Sequence, residues 1–137
     1  MLDIYSTDIT VSANSSVPFN NTNVAKGCKI TRSGTASVQF NKCGMYKVQI
    51  DASVVAGAAG DISLQLYKNN IPQPQAQAIE TSADTTSTHN LSFSTLIQVD
   101  HDNCKCNMCT IPVTVSLENV SSIPVDFTVA HMVVTPA

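Results

Sequence analysis

Tyr46-Lys47-Val48-Gln49-Ile50-Asp51-Ala52-Ser53-Val54 decides the fold class, because apolar and polar residues alternate through it without a slip. Such a period of two puts every second side chain on one face of a strand and leaves charges and amides on the other. The pattern repeats in both directions. Residues 57–60 break it, and Ile62, Leu64 and Leu66 resume it. Leu91, Phe93, Thr95, Ile97 and Val99 make another long strand, followed by Ile111, Val113, Val115 and Leu117. The last strand reads with Val125, Phe127, Val129 and His131 on one side and Thr128, Ala130 and Met132 on the other. Upstream, Ile9 and Val11 lie in a short first strand, and residues 28–31 and 35–40 read as a hairpin in which Gly34 supplies a positive φ. Asn69-Asn70 is a turn, and Pro72 and Pro74 suit an edge or bulged segment. No stretch carries the 3.6-residue period of an amphipathic helix. The expectation is an all-β sandwich of about eight to ten antiparallel strands.

Composition narrows the function classes. The 137 residues suffice for one domain with a substantial core, and no linker or repeat divides 1–137. Charged residues make up only 12% against 43% apolar, with Ser, Thr, Asn and Gln filling the gap. A neutral polar surface suits proteins that pack side by side, since few charges must be desolvated at each contact. A net charge of −3 with scattered basic residues, Lys26, Lys29, Arg32, Lys42, Lys47, Lys68 and Lys105, argues against nucleic acid as a partner. No apolar run is long enough to span a membrane. The opening Met1-Leu2-Asp3-Ile4-Tyr5 has neither the basic region nor the apolar run of a signal peptide, which points to folding in a cytoplasm.

The middle of the chain is similar to a known family. Cys43-Gly44-Met45-Tyr46-Lys47-Val48, then Leu64-Gln65-Leu66-Tyr67-Lys68-Asn69-Asn70-Ile71-Pro72, resembles the G-x-Y-x-[VIF] strand and the L-x-[KN]-N-G-x-x hairpin of the tumour-necrosis-factor and complement-globular-head jelly rolls. The small phage and bacterial members, such as the heads of collagen-like spore-surface proteins, are the nearest likeness. The resemblance covers residues 35–135. Asn70 stands where the family turn has Gly, which Asn can replace because it too visits the left-handed region. The resemblance implies a jelly roll that assembles as a homotrimer, with Tyr46, Tyr67 and Phe127 as candidates for the subunit interface or, equally, for the monomer core. It leaves residues 1–23 as an N-terminal tether or docking segment.

His101-Asp102-Asn103-Cys104-Lys105-Cys106-Asn107-Met108-Cys109 lies outside the family pattern and is the one segment that suggests metal chemistry. Cys104, Cys106 and Cys109, spaced C-x-C-x2-C in a loop, can converge on one ion, with Cys43 or His101 as a fourth ligand. Thiolates favour zinc or iron over magnesium or calcium, and a filled set of four would be structural. Disulfides and reduced thiols stay open as alternatives. Because five cysteines is an odd number, they cannot all pair within the chain.

Catalytic signatures are lacking. His89, His101 and His131 are scattered, and no G-x-S-x-G, H-E-x-x-H, P-loop or G-x-G-x-x-G occurs. The sequence therefore reads as non-enzymatic. The leading expectation is a bacteriophage virion protein: a head decoration, head fibre or tail-associated trimer. Its partners would be its own copies and other virion proteins such as capsid or portal and tail proteins. One alternative is a head that binds a cell-surface glycan or receptor, using exposed loops with Asn69, Asn70, Gln73, Gln75, Thr85 and Thr86. The other is a spore-coat or cell-surface trimer.

Overall fold

The computed structural model describes residues 1–100 and 113–137, plus the backbone of two short strands in between. Among the described residues every regular element is a strand. In chain order these are β1 (Leu2–Val11), β2 (Ser15–Ser16), β3 (Asn21–Ala25), β4 (Ile30–Ser33), β5 (Ser37–Phe40), β6 (Gly44–Ala56) and β7 (Gly60–Lys68). They continue with β8 (Ile71–Ser82), β9 (Thr88–Val99), β10 (Cys104–Lys105), β11 (Met108–Cys109), β12 (Val113–Asn119) and β13 (Val125–Pro136). One sheet runs β3-β1-β13-β6-β9 and the other β4-β5-β12-β7-β8, with β2 added to β12. All of their pairings are antiparallel. The two five-strand paths give ten strands, within the expected eight to ten.

The core forms where alternating residues of the two sheets meet. Tyr46, Val48, Ile50, Ala52, Val54 and Ala56 of β6 point inward with Ile62, Leu64 and Leu66 of β7 and Val113, Val115 and Leu117 of β12. Each large aliphatic or aromatic side chain so buried contributes about 1.5–3 kcal/mol. Phe40 and Tyr46 stack at a tilt, with ring centroids 4.5 Å apart.

The last strand departs from simple alternation. Its register against β6 slips between Phe127 and Val129, so Thr128 is the extra residue of a β-bulge. Past the bulge Ala130, Met132 and Val134 are the buried residues, while Val129 is exposed and His131 half-buried. The sequence pattern alone places Val129 and His131 on the side of Phe127. One inserted residue reverses every side chain beyond it.

Turns follow their residue chemistry. Asn69 and Asn70 have φ of 51° and 64°, so both central positions of this two-residue hairpin are left-handed, as a type I′ turn requires. Asn69 also extends the sheet: its amide nitrogen donates to the Thr114 carbonyl and its Oδ1 accepts the Thr114 amide, both at 2.9 Å. Gly57 lies so close to Pro124 that a Cβ there would meet it at 2.8 Å. β8 lies at the edge of its sheet and slips register opposite β7, which accommodates Pro72 and Pro74.

Residues 1–23 are part of the body. β1 pairs with β13 on one side and β3 on the other, and Val17 and Phe19 are wholly buried. Leu2 to Tyr5 are thus hydrogen-bonded along both edges, which ties the start of this segment into the sheet.

Candidate functional site

The sheet β3-β1-β13-β6-β9 turns one face to the core and leaves the other open. Register fixes the rows across the open face. Tyr5, His131, Asp51 and Ser92 lie opposite one another in sequence across β1, β13, β6 and β9. The next row holds Asp3, Val133, Gln49 and Ser94, and on the other side lie Thr7, Val129, Ser53 and Asn90. Leu96 (55% exposed), Met45 (44%) and Val129 (38%) give the face apolar contact points.

Small polar side chains satisfy one another between these points. Ser92 donates to Asp51 Oδ1 at 2.8 Å, and Ser53 donates to Asn90 Oδ1 at 2.8 Å. His131 Nε2 meets Asp3 Oδ1 at 2.5 Å, and Asn23 donates to the other Asp3 oxygen at 3.1 Å. His131, Asp51, Ser53, Asn90, Ser92 and Val129 rim a shallow hollow of about 300 Å³. These pairs reduce the number of polar groups that must be desolvated where this part of the face is covered.

The structure distributes the expected site residues widely. Tyr46 and Phe127 are each 1% exposed within the single chain, so neither offers surface to another subunit, and both belong to the core. Burial, and then the neighbouring Cys43, raises the Tyr46 phenol above its ordinary range; its hydroxyl donates to the Lys42 carbonyl at 2.6 Å. Tyr67 is half-buried on β7, in the opposite sheet from the open face. The polar loop residues separate as well. Asn69 and Asn70 turn the chain where Lys68 pairs with Ile71, with Gln73 and Gln75 following on β8. Thr85 and Thr86 lie beyond Ser82, which pairs with Gly60 at the other end of the same two strands. They cannot form one contact surface.

Of the proposed metal ligands, His101 and Cys106 lie outside the described residues, as do the side chains of Cys104 and Cys109. The backbone pairs Cys104 with Cys109. Cys43 stands between the two anchors of that segment, since Gly44 pairs with Val99 and Phe40 with Val113. No disulfide joins Cys43 to Cys28. Among the described residues no three Cys, His, Asp or Glu side chains converge.

His89, Glu80 and Ser82 form a constellation that no sequence motif marks. His89 Nδ1 meets Glu80 Oε1 at 2.9 Å and its Nε2 meets Ser82 Oγ at 3.0 Å. The connectivity is that of a Ser-His-carboxylate relay, but Ser82 is 2% exposed and its hydroxyl donates to the Asp84 carbonyl at 2.8 Å. A nucleophile needs an open approach to a substrate carbonyl. Here the three side chains instead bridge edge strands β8 and β9 and close one side of the sandwich.

A scan against protein-family models finds no match, and a search of curated proteins finds none. Solved structures do match over nearly the whole chain. Eiger TNF from S. frugiperda aligns at TM-score 0.68 with 12% identity, covering 99% of this chain and 92% of that one. Murine APRIL aligns at 0.65 with 6% identity and 96% coverage of both chains. PRD1 vertex protein P5 aligns at 0.58 with 16% identity, covering 98% of this chain and 94% of its own. At such identities the likeness is one of fold.

Proposed function

We propose that this chain, a jelly roll of the tumour-necrosis-factor-like fold, is a non-enzymatic structural protein of a bacteriophage virion that associates with its own copies as a homotrimer. The observation that carries the reading is the open face of the five-stranded sheet. It is broad, several of its polar side chains pair with one another, and Leu96, Met45 and Val129 stand exposed on it. A face of that kind is stabilised by being covered. The likeness to PRD1 vertex protein P5 over 98% of the chain supports the virion setting, with capsid, portal or tail proteins as further partners. A glycan-binding head is less well supported, because its proposed loops lie at opposite ends of the sandwich.

Native mass measurement of the purified chain tests the reading. The expected result is a trimer that Leu96→Asp with Val129→Asp converts to a monomer while the far-UV circular dichroism of the sheets is retained. A wild-type monomer at tens of micromolar concentration would overturn it. Metal quantified on the same sample tests the cysteine segment: about one zinc or iron per chain supports a thiolate site completed by Cys43, and its absence leaves disulfides or thiols.

A further inference from the structure

Charges that look scattered along the sequence are sorted by the fold. Lys26 and Lys29 lie in the β3–β4 connection, Lys42 in the β5–β6 connection, Lys47 near the start of β6 and Lys68 at the end of β7. The pairings Leu2 with Ala25, Pro136 with Tyr46, Gly44 with Val99 and Lys68 with Ile71 put all of these at one end of the sandwich. Asp100, which follows β9, and Asp3, which is held by His131 and Asn23, also lie toward that end, and Asp51 lies on the open face. Asp8, Asp61, Glu80, Asp84, Glu118 and Asp126 all fall in the opposite half. Several of those carboxylates are capped by neutral hydroxyls: Thr10 donates to Asp126 at 2.6 Å, Thr81 to Asp61 at 2.7 Å and Ser16 to Glu118 at 2.9 Å. Hydroxyls satisfy a carboxylate without cancelling its charge.

At the lysine end, Lys26, Lys29 and Lys42 ring a hollow of about 390 Å³ whose other walls are Met1, Cys28 and Pro136. None of the three lysines makes an ion pair among the described residues. We infer that this hollow is a docking site for an acidic peptide segment of a partner protein. Lysines act as point charges for carboxylates, and the apolar walls fit the methylene stems of glutamate. The lining has no aromatic ring on which a base stacks and no arginine fork, which disfavours nucleic acid. The hollow is built within one chain, so the inference, which rests on the proposed virion role and names a partner chemistry for it, does not depend on the trimer.

A fluorescein-labelled hexaglutamate peptide is the probe, followed by anisotropy at about 50 mM salt, where exposed charges are weakly screened. Binding is expected to weaken at least about tenfold when Lys26, Lys29 and Lys42 are all replaced by Glu, and by about two- to threefold for each single Lys→Gln change should the triple variant fail to fold. The bound peptide should also slow alkylation of Cys28 by iodoacetamide, read by peptide mass mapping, because Cys28 is an exposed wall of the hollow. Any of the following overturns the inference: no binding, binding indifferent to the lysine changes, Cys28 left unprotected, equal protection by inorganic phosphate, or tighter binding of an oligonucleotide. Salt-sensitive self-association through this end, abolished by the same variants, would assign the hollow to a second copy instead. Native mass on the same sample separates the outcomes: a trimer that ignores the peptide rejects this site alone.

Discussion

Strands β6 and β13 lie side by side in the middle of one sheet and obey the alternation rule differently. From Tyr46 onward β6 buries every second residue to its end. β13 does so only in two halves, joined at Thr128. The slip is shared with β1, where Thr7 pairs with Val129 and Ile9 with Phe127, leaving Asp8 out of the ladder with φ of 51°. Two neighbouring strands thus bend together while the third stays regular. The bend lets Phe127 and Ala130 both face the core, and it delivers Val129 and His131 to the open face.

Adjacent substitutions break the comparison most sharply. Ala130→Asp buries an unpaired carboxylate at a position with no exposure and should cost several kcal/mol in urea unfolding. Val129→Asp, one residue away, should stay within about 1 kcal/mol of wild type when measured on the monomer. Equal costs would mean that the bulge does not lie at Thr128.

The β1 side of the bend gives a smaller effect. At the positive φ of Asp8 a β-branched residue is strained, so Asp8→Val should destabilise by about 1–2 kcal/mol, whereas Asp8→Gly should be neutral or slightly stabilising. Thermal unfolding of both variants measures the difference, and identical midpoints would argue against the left-handed backbone.

The smallest expected effect probes the regular strand. Tyr46→Phe removes the donor to the Lys42 carbonyl and should cost about 1 kcal/mol at neutral pH. The fold holds the Tyr46 phenol protonated, its range raised by burial and then by Cys43. Its contribution is therefore complete below the ordinary tyrosine value of about 10 and is lost as pH rises through the raised folded value. The variant should show a shallower alkaline decline of stability, and an unchanged decline would remove Tyr46 from that role.

What could be read in advance follows from how local each feature is. The alternation of β6, the Asn69-Asn70 turn and the edge placement of Pro72 depend on neighbouring residues, and the structure has each of them. The far half of β13 was not legible, because Thr128 differs in no compositional way from a residue that stays in register. Tyr46 and Phe127 were recognisable as important aromatics, but whether an inward strand position meets the core or another subunit is set by which face the opposite sheet covers. The lysine-ringed hollow was invisible for the same reason: Lys26 and Lys42 come from different connections, brought together by long-range pairings such as Ile30 with Phe40 and Leu2 with Ala25.

The place of β13 in its sheet also sets a timetable. It is the strand that joins β1 to β6, with Leu2 paired to Val134 and Tyr46 to Pro136. Until it arrives, the first strand has only the short β3 beside it, and one edge of β6 is bare. The sheet is therefore completed by the most distant pairings in the chain, whose loop-closure entropy must be met before they stabilise anything. Folding should be slow, in the millisecond-to-second range of β-sandwiches. A chain interrupted before Val125 would present two unfinished sheet edges to its neighbours rather than a smaller version of the domain.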